Sequence, residues 1–232
     1  MNALELAEIA SLVGDPTRVN ILLALMDDRA LTASELAYAA RVSAPTTSGH
    51  LAKLTEARLL TVVQRGRSRY FRIATPLVAS MLEGIMAVAA QAPPRYRPRS
   101  KADDAMRTAR TCYNHFAGKL GVGMAAALCE RGHVVLADEG GEVTESGVAF
   151  LADFGIDLAE ARRRRRAFCR PCLDWTERRS HLGGSVGAAL AARCFELGWV
   201  ERVRDSRAVA ITPSGHQGLK RIFGLTIAAD SD

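Results

Sequence analysis

Two histidines and five cysteines carry the chemistry open to this sequence. Cys112 and His115 form Cys-x-x-His, and Cys169 and Cys172 form Cys-x-x-Cys, with His181 nine residues further on. Thiolates and imidazoles are the donors that soft and borderline ions prefer, and two thiols from one turn can grip one such ion. Arg170 and the run Arg162–Arg166 just upstream are expected to lower thiol pKa values and favour thiolates. That run also reads as a solvated helix face or as an extra phosphate contact. Cys129 and Cys194 lie in Ala-rich segments beside Leu128 and Phe195 and read as small core residues. The candidate ligands are therefore Cys112, Cys172, Cys169, His115 and His181, although spacing alone does not bring them together. A competing chemistry is a thiol enzyme with Cys172 as nucleophile and His181 as base. No oxyanion or acid–base set accompanies that pair, so the chain reads as a non-enzyme.

The elements that must position these residues repeat. His115-Phe-Ala-Gly118-Lys-Leu-Gly121 and His181-Leu-Gly-Gly184-Ser-Val-Gly187 share His-x-x-Gly-x-x-Gly. Each runs into an Ala-rich helix, Met124–Leu128 or Ala188–Ala192, then a glycine at 132 or 198 and a valine at 134 or 200. Each closes on Thr-x-Ser-Gly, Thr144–Gly147 or Thr212–Gly215. One unit reads as a helix, a two-stranded hairpin and a new helix, which cannot bury its apolar face alone. Two such winged-helix-like repeats, about 110–155 and 173–225, are expected to pack about a pseudo-twofold axis. The glycines read as close helix approach. A dinucleotide fingerprint needs a strand before it, and Arg110-Thr-Cys-Tyr113 reads as helix or loop. His115 and His181 either hydrogen-bond within their own units or line a ligand site between them.

The N-terminal part has another signature. Thr32 followed by Glu35 is a capping box for a short helix, a turn follows at Arg41-Val42-Ser43, and a second helix runs from Ser43 to about Ala57. Ser43 suits the N-cap, Pro45 is tolerated in the first turn, and Leu51, Leu54 and Ala57 face inward. Two β-type runs, Leu59–Val63 and Ser68–Ile73, flank the basic tip Gln64-Arg65-Gly66-Arg67. This is a winged helix-turn-helix, which reads the major groove of DNA with its second helix. The expected DNA contacts are Ser43, Thr46, Thr47, Ser48, His50 and Lys53 on that helix, with Arg65, Arg67 and Arg69 on the wing.

The pattern Gly14-Asp-Pro-Thr-Arg-Val-Asn-Ile-Leu22, Ser34-Glu-Leu-Ala37, Ser48-Gly-His-Leu-Ala-Lys-Leu54 and Arg69-Tyr-Phe-Arg-Ile73 resembles the ArsR family of bacterial repressors over about residues 4–90. The resemblance implies an obligate homodimer held by the first helix and the helix after the wing. It also implies release from DNA on binding an inducer, often a thiophilic metal or metalloid. Family metal sites in the helix before the turn use cysteines, where this chain has Glu35-Leu-Ala-Tyr-Ala39. Sites in the helix after the wing use His and acidic residues, where Pro76–Ala90 has one Glu and no His. Sensing must therefore lie elsewhere. Arg110-Thr-Cys-Tyr-Asn-His115 with Cys172-Leu-Asp-Trp-Thr-Glu-Arg-Arg-Ser-His181 resembles a C-terminally extended branch of such regulators, grouped with cadmium- and lead-responsive repressors. This likeness covers most of residues 105–225 and implies Cys112 and Cys172 as the shared thiols.

The expected fold is mainly α with small β-hairpins (α+β). Residues 1–90 form a winged helix-turn-helix DNA-binding and dimerisation domain. A Pro/Arg-rich linker spans 91–104, and 105–232 form the sensor domain. The net charge of +6 favours a polyanion partner. No apolar run reaches the roughly 18 residues of a membrane span, and the N-terminus lacks a basic, apolar leader, so a cytoplasmic protein with no membrane partner is expected. The expected function is a repressor of a double-stranded DNA operator. No cofactor is required, and cadmium, lead, arsenic or zinc is the expected inducer. The alternative inducer is a small organic or oxidising signal, for which Trp175, Trp199, Tyr113 and Phe116 offer an aromatic lining.

Overall fold

The computed structural model describes residues 2–27, 29–66, 68–91, 100–137, 140–163 and 167–227. The chain divides into two compact units, Met1–Leu82 and Glu83–Asp232.

The first unit opens with helices α1 (Ala3–Val13) and α2 (Pro16–Ala24), capped by Asn2 and Asp15. A two-residue strand β1 (Leu31–Thr32) leads into α3 (Ala33–Ala40). Thr32 and Glu35 make the expected capping box, satisfying N–H groups that the first helical turn leaves free. Arg41 takes the left-handed conformation at the end of α3, and Ser43 caps α4 (Ala44–Glu56). Leu51 and Leu54 are buried, each worth about 1.5–3 kcal/mol on transfer from water. Strands β2 (Leu60–Arg65) and β3 (Ser68–Ile73) pair antiparallel from Leu60↔Ile73 to Arg65↔Ser68. β1 adds to the free edge of β3, giving the order β1-β3-β2. The unit is a winged helix-turn-helix. Helix α5 (Pro76–Gln91) follows the wing, and the division between units falls within it, after Leu82 rather than at residue 90.

The second unit is mixed helix and small antiparallel sheets. Helix α6 (Lys101–Thr108) occupies the last residues of the span read as linker, whose central part lies outside the described residues. Ser100 and Asp103 cap it with a capping box. Then come β4 (Arg110–Cys112), β5 (His115–Ala117), α7 (Gly118–Glu130), β6 (Val134–Ala137), β7 (Gly140–Val143), α8 (Glu145–Asp153) and α9 (Leu158–Arg163). After these come β8 (Arg170–Leu173), β9 (Ser180–Gly183), α10 (Gly184–Glu196), β10 (Val200–Arg202), β11 (Val209–Ile211) and α11 (Pro213–Phe223). Hairpin, helix, hairpin and helix thus follow one another twice. The matched Thr-x-Ser-Gly segments do the same work. Thr144 and Thr212 cap α8 and α11, and their hydroxyls donate to the carbonyls of Gly132 and Gly198, both at 2.7 Å.

The structure corrects one expectation here. Arg110–Cys112 is a strand, and a second strand precedes the glycines. At three residues each, these strands are too short for alternation to show in the sequence. The glycines still serve close approach. A Cβ on Gly121 would overlap the carbonyl oxygen of Phe116, and one on Gly187 that of Leu182. The space a phosphate would need beside them is filled by backbone.

Candidate functional site

Each leading hairpin sets one cysteine opposite one histidine. Cys112 pairs with His115 across β4 and β5, and Cys172 with His181 across β8 and β9. Directly opposed strand residues share a face, so each hairpin offers a thiol and an imidazole side by side. The two hairpins meet through β5 and β9, while α7 packs on β9 and α10 on β5. The exchange is reciprocal: a Cβ on Gly121 would lie 3.4 Å from the Cβ of His181, and one on Gly187 3.2 Å from that of His115. His115 Nε2 and His181 Nε2 come to 3.1 Å. One donor atom from each of Cys112, His115, Cys172 and His181 lies within 4.8 Å of the others, and all four residues are buried.

The electrostatics of this cluster suit a cation. The Cys172 thiol donates to Cys112, which holds Cys112 well below the usual thiol range against the cost of burial, with His115 and His181 adding to the effect. The same contact pushes Cys172 up, and burial adds to that. Burial lowers His181, keeping the ring neutral as a ligand must be. Its Nδ1 is buried without a hydrogen bond, 3.5 Å from Asp174 Oδ2. Asp174 is itself fully buried and accepts from Arg110 Nη2 at 2.8 Å, the Gly118 N–H at 2.7 Å and the Thr176 N–H at 2.8 Å. Burial alone would raise its carboxyl, but Arg110 and these donors hold it well below the carboxylate range. Glu83 Oε1 lies 3.5 Å from Cys112 Sγ, and Glu83 Oε2 accepts from Arg170 Nη2 at 2.6 Å. Burial pushes Glu83 up, and the charge on Cys112 adds to the rise.

Two sulfurs and two ring nitrogens are a tetrahedral donor set. Ideal bond lengths to zinc put the corners of such a tetrahedron roughly 3.3–3.8 Å apart. The two ring nitrogens stand 3.1 Å apart and the donors lie within 4.8 Å of one another, so shifts of about 1 Å would reach that spacing and the residues present fit an ion.

Cys169 does not join them. Cys169 sits in a bend just before β8, while Cys172 lies within the strand, so the Cys-x-x-Cys pair does not form one turn. Cys169 lies in the main hydrophobic core, where burial pushes its thiol up to about 11 with a contribution from Cys129. The arginine run does not make it a thiolate. Arg162 stacks on Phe168, 4.0 Å from the ring centroid, and Arg164–Arg166 lie outside the described residues. Burial likewise pushes Cys194 up to about 12. Phe116 and Trp199 are core residues, and Trp175 lies under the guanidinium of Arg110. The sequence reading missed Arg110, Asp174 and Glu83. Nothing in composition marks a charged residue that is buried with its partner.

On the reading helix α4, Thr46, Ser48 and Lys53 are exposed, and Ser43 is exposed at the cap. Thr47 is a correction: it is fully buried, and its hydroxyl donates to the Ser43 carbonyl at 3.0 Å. Four residues before Leu51, it falls on the same inward face. His50 is half-buried, its Nδ1 3.9 Å from Asp15 Oδ1. Arg65 and Arg69 are exposed on the wing, and Gly66 turns its tip with φ +60°. Arg67 lies outside the described residues.

Residues 15–62 match the family model described as "Bacterial regulatory protein, arsR family". The HTH-type transcriptional regulator YdfF of Bacillus subtilis (strain 168) is 44% identical over 222 residues, 96% of this chain and 98% of the relative. That likeness runs through both units. Among solved structures, the homodimeric winged helix-turn-helix domain of Mb0332 from Mycobacterium bovis is 22% identical and covers 41% of this chain and 88% of its own, with a TM-score of 0.36. The antimony-specific transcriptional repressor AntR is 27% identical and covers 39% of this chain and 84% of its own, with a TM-score of 0.34.

Proposed function

The chain belongs to the ArsR family of helix-turn-helix transcriptional regulators, and from that membership we propose that it is a repressor released from DNA by a thiophilic ion. The observation that carries this reading is the buried cluster of Cys112, His115, Cys172 and His181, with donor atoms within 4.8 Å of one another. Of cadmium, lead, arsenic and zinc, the two-sulfur, two-nitrogen set suits zinc or cadmium. Held by Cys112 and His115 of one hairpin and Cys172 and His181 of the other, an ion would supply a positive charge between them. The residues prepare for it: Cys112 offers a thiolate, His181 a neutral ring, and Asp174 a carboxylate behind that ring.

The repressor acts as a homodimer in this reading. Exposed Leu4 and Leu6 on α1, and Leu77, Ile85 and Val88 on α5, supply apolar surface for the subunit contact. Thr46, Ser48 and Lys53 face base edges and phosphates, and Arg65, Arg67 and Arg69 clamp the backbone. The second unit consists of two winged-helix-like repeats, a reading supported by the matched caps at Thr144 and Thr212.

One observation favours a second inducer. The sulfurs of Cys112 and Cys172 lie within 4.8 Å of each other, so hydrogen peroxide could oxidise the two thiols to a disulfide and leave as two waters.

The test uses full-length protein and a duplex selected from random DNA by the ion-free form. Zinc and cadmium, added singly under reducing conditions, should release the duplex, and peroxide without an ion should not. Protein that stays bound with both ions removes the ion reading. Release by peroxide alone establishes the second reading.

A further inference from the structure

Glu83 is the one acidic residue of α5 and is 6% exposed. A buried carboxylate is costly unless partnered, and this one has two partners of different kinds. Arg170 donates to one oxygen at 2.6 Å, and the sulfur of Cys112 lies 3.5 Å from the other, within hydrogen-bonding distance for sulfur. Arg170 stands two residues before Cys172 on β8, so both side chains leave the same face of that strand. Glu83 is therefore held by the ligand cluster itself and by a strand that carries one of its ligands. Along the chain, α5 begins at Pro76, directly after the wing.

We infer that Glu83 is the residue through which occupancy of the Cys112–His115–Cys172–His181 cluster is reported to α5. This rests on the ion reading above. An ion would engage the Cys112 sulfur, so the contact between that sulfur and Glu83 belongs to the ion-free state. The carboxylate then faces an ion-bound sulfur and keeps Arg170 alone. An interaction present in one state and absent from the other is the differential term that coupling between two sites requires. Glu83 lies outside the four-donor set, so its part is positional, separable from holding the ion.

Three full-length proteins test this: wild type, Glu83→Gln, and Glu83→Gln/Arg170→Gln, in which both members of the ion pair are neutral. Zinc affinity is read by competition with a chromophoric chelator. Affinity for the selected duplex is read by fluorescence anisotropy without zinc and with saturating zinc. Wild type should bind the duplex about 5–150-fold more weakly with zinc, the usual range of such coupling. Both variants should bind zinc within about threefold of wild type, and the duplex normally without zinc, while the zinc effect on DNA shrinks to less than about threefold. Variants that respond to zinc like wild type overturn the inference and leave the ion reading standing. Variants whose zinc affinity collapses also overturn it, since Glu83 would then be a ligand. Wild type that binds no zinc overturns both.

Discussion

Asp174 Oδ2 stands 3.5 Å from His181 Nδ1 and takes the guanidinium of Arg110 at 2.8 Å, so one buried carboxylate answers a buried cation and lies behind a candidate ligand ring. A carboxylate behind a ligating histidine fixes the ring and its tautomer. Asp174→Asn should weaken zinc binding about 10–100-fold. It should also cost about 3–5 kcal/mol of stability, because Arg110 is left buried without its counter-charge. Chelator competition and urea unfolding of the zinc-free protein measure the two effects separately. Unchanged zinc affinity would mean that Asp174 serves Arg110 alone.

The cysteines should divide sharply. Cys112→Ser and Cys172→Ser each remove one of only two sulfurs and should abolish release from DNA by zinc or cadmium without weakening DNA binding. Cys169→Ala lies outside the cluster and should respond like wild type, with a modest loss of stability from a smaller core residue. A Cys169→Ala protein deaf to both ions would place that thiol back among the ligands.

Zinc affinity should rise with pH. The contact with Cys112 pushes the Cys172 thiol up, so it keeps its proton in the ion-free protein, whereas the ion needs the thiolate. Binding therefore expels a proton and is favoured as protons become scarce. The apparent affinity should climb about tenfold per pH unit for each proton released, from about pH 6 to about pH 8. Calorimetry in two buffers of different ionisation enthalpy counts the protons. A pH-independent affinity would show that both thiols are already ionised.

On the DNA side, Thr46 and Thr47 are neighbours with opposite fates. Exposed Thr46→Ala should cost about 1–3 kcal/mol of preference for the selected duplex if it contacts a base edge. Thr47→Val should leave that preference alone, since the side chain is buried. A loss of preference with Thr47→Val and none with Thr46→Ala would mean that α4 meets DNA on another face.

Replacing Arg65 and Arg67 with Ala should weaken binding to selected and random duplexes alike. It should also flatten the dependence of log K on log salt by about 2, roughly one for each phosphate no longer neutralised. An unchanged slope would take the wing off the DNA.

The helix-turn-helix was legible because its signals are local. Thr32 with Glu35, and Ser43 with Pro45, announce helix starts within four residues. Thr47 was misplaced because it sits in a polar run, and its distance from Leu51 decides its face more firmly than its neighbours do. The ligand cluster was legible only as a set of residue types. Cys112 and His115 flank a two-residue turn, whereas a six-residue loop separates β8 from β9, so equal register is hidden by unequal spacing. Cys169 drew attention through a spacing that matters when both thiols come from one turn, but only Cys172 lies in β8 and Cys169 is buried in the core before it. Arg110 and Asp174 are 64 residues apart in sequence, and no short pattern predicts such a pair.

The donors are shared out evenly, one sulfur and one nitrogen to each hairpin. Neither hairpin can close a tetrahedron, so an ion at this place has no home in half the unit. If an ion sits there, whatever parts β5 from β9 would release it, and removing it would loosen the seam between them. A cluster built this way would be a clasp as much as a receptor, tying its occupancy to how firmly two halves of one chain are joined.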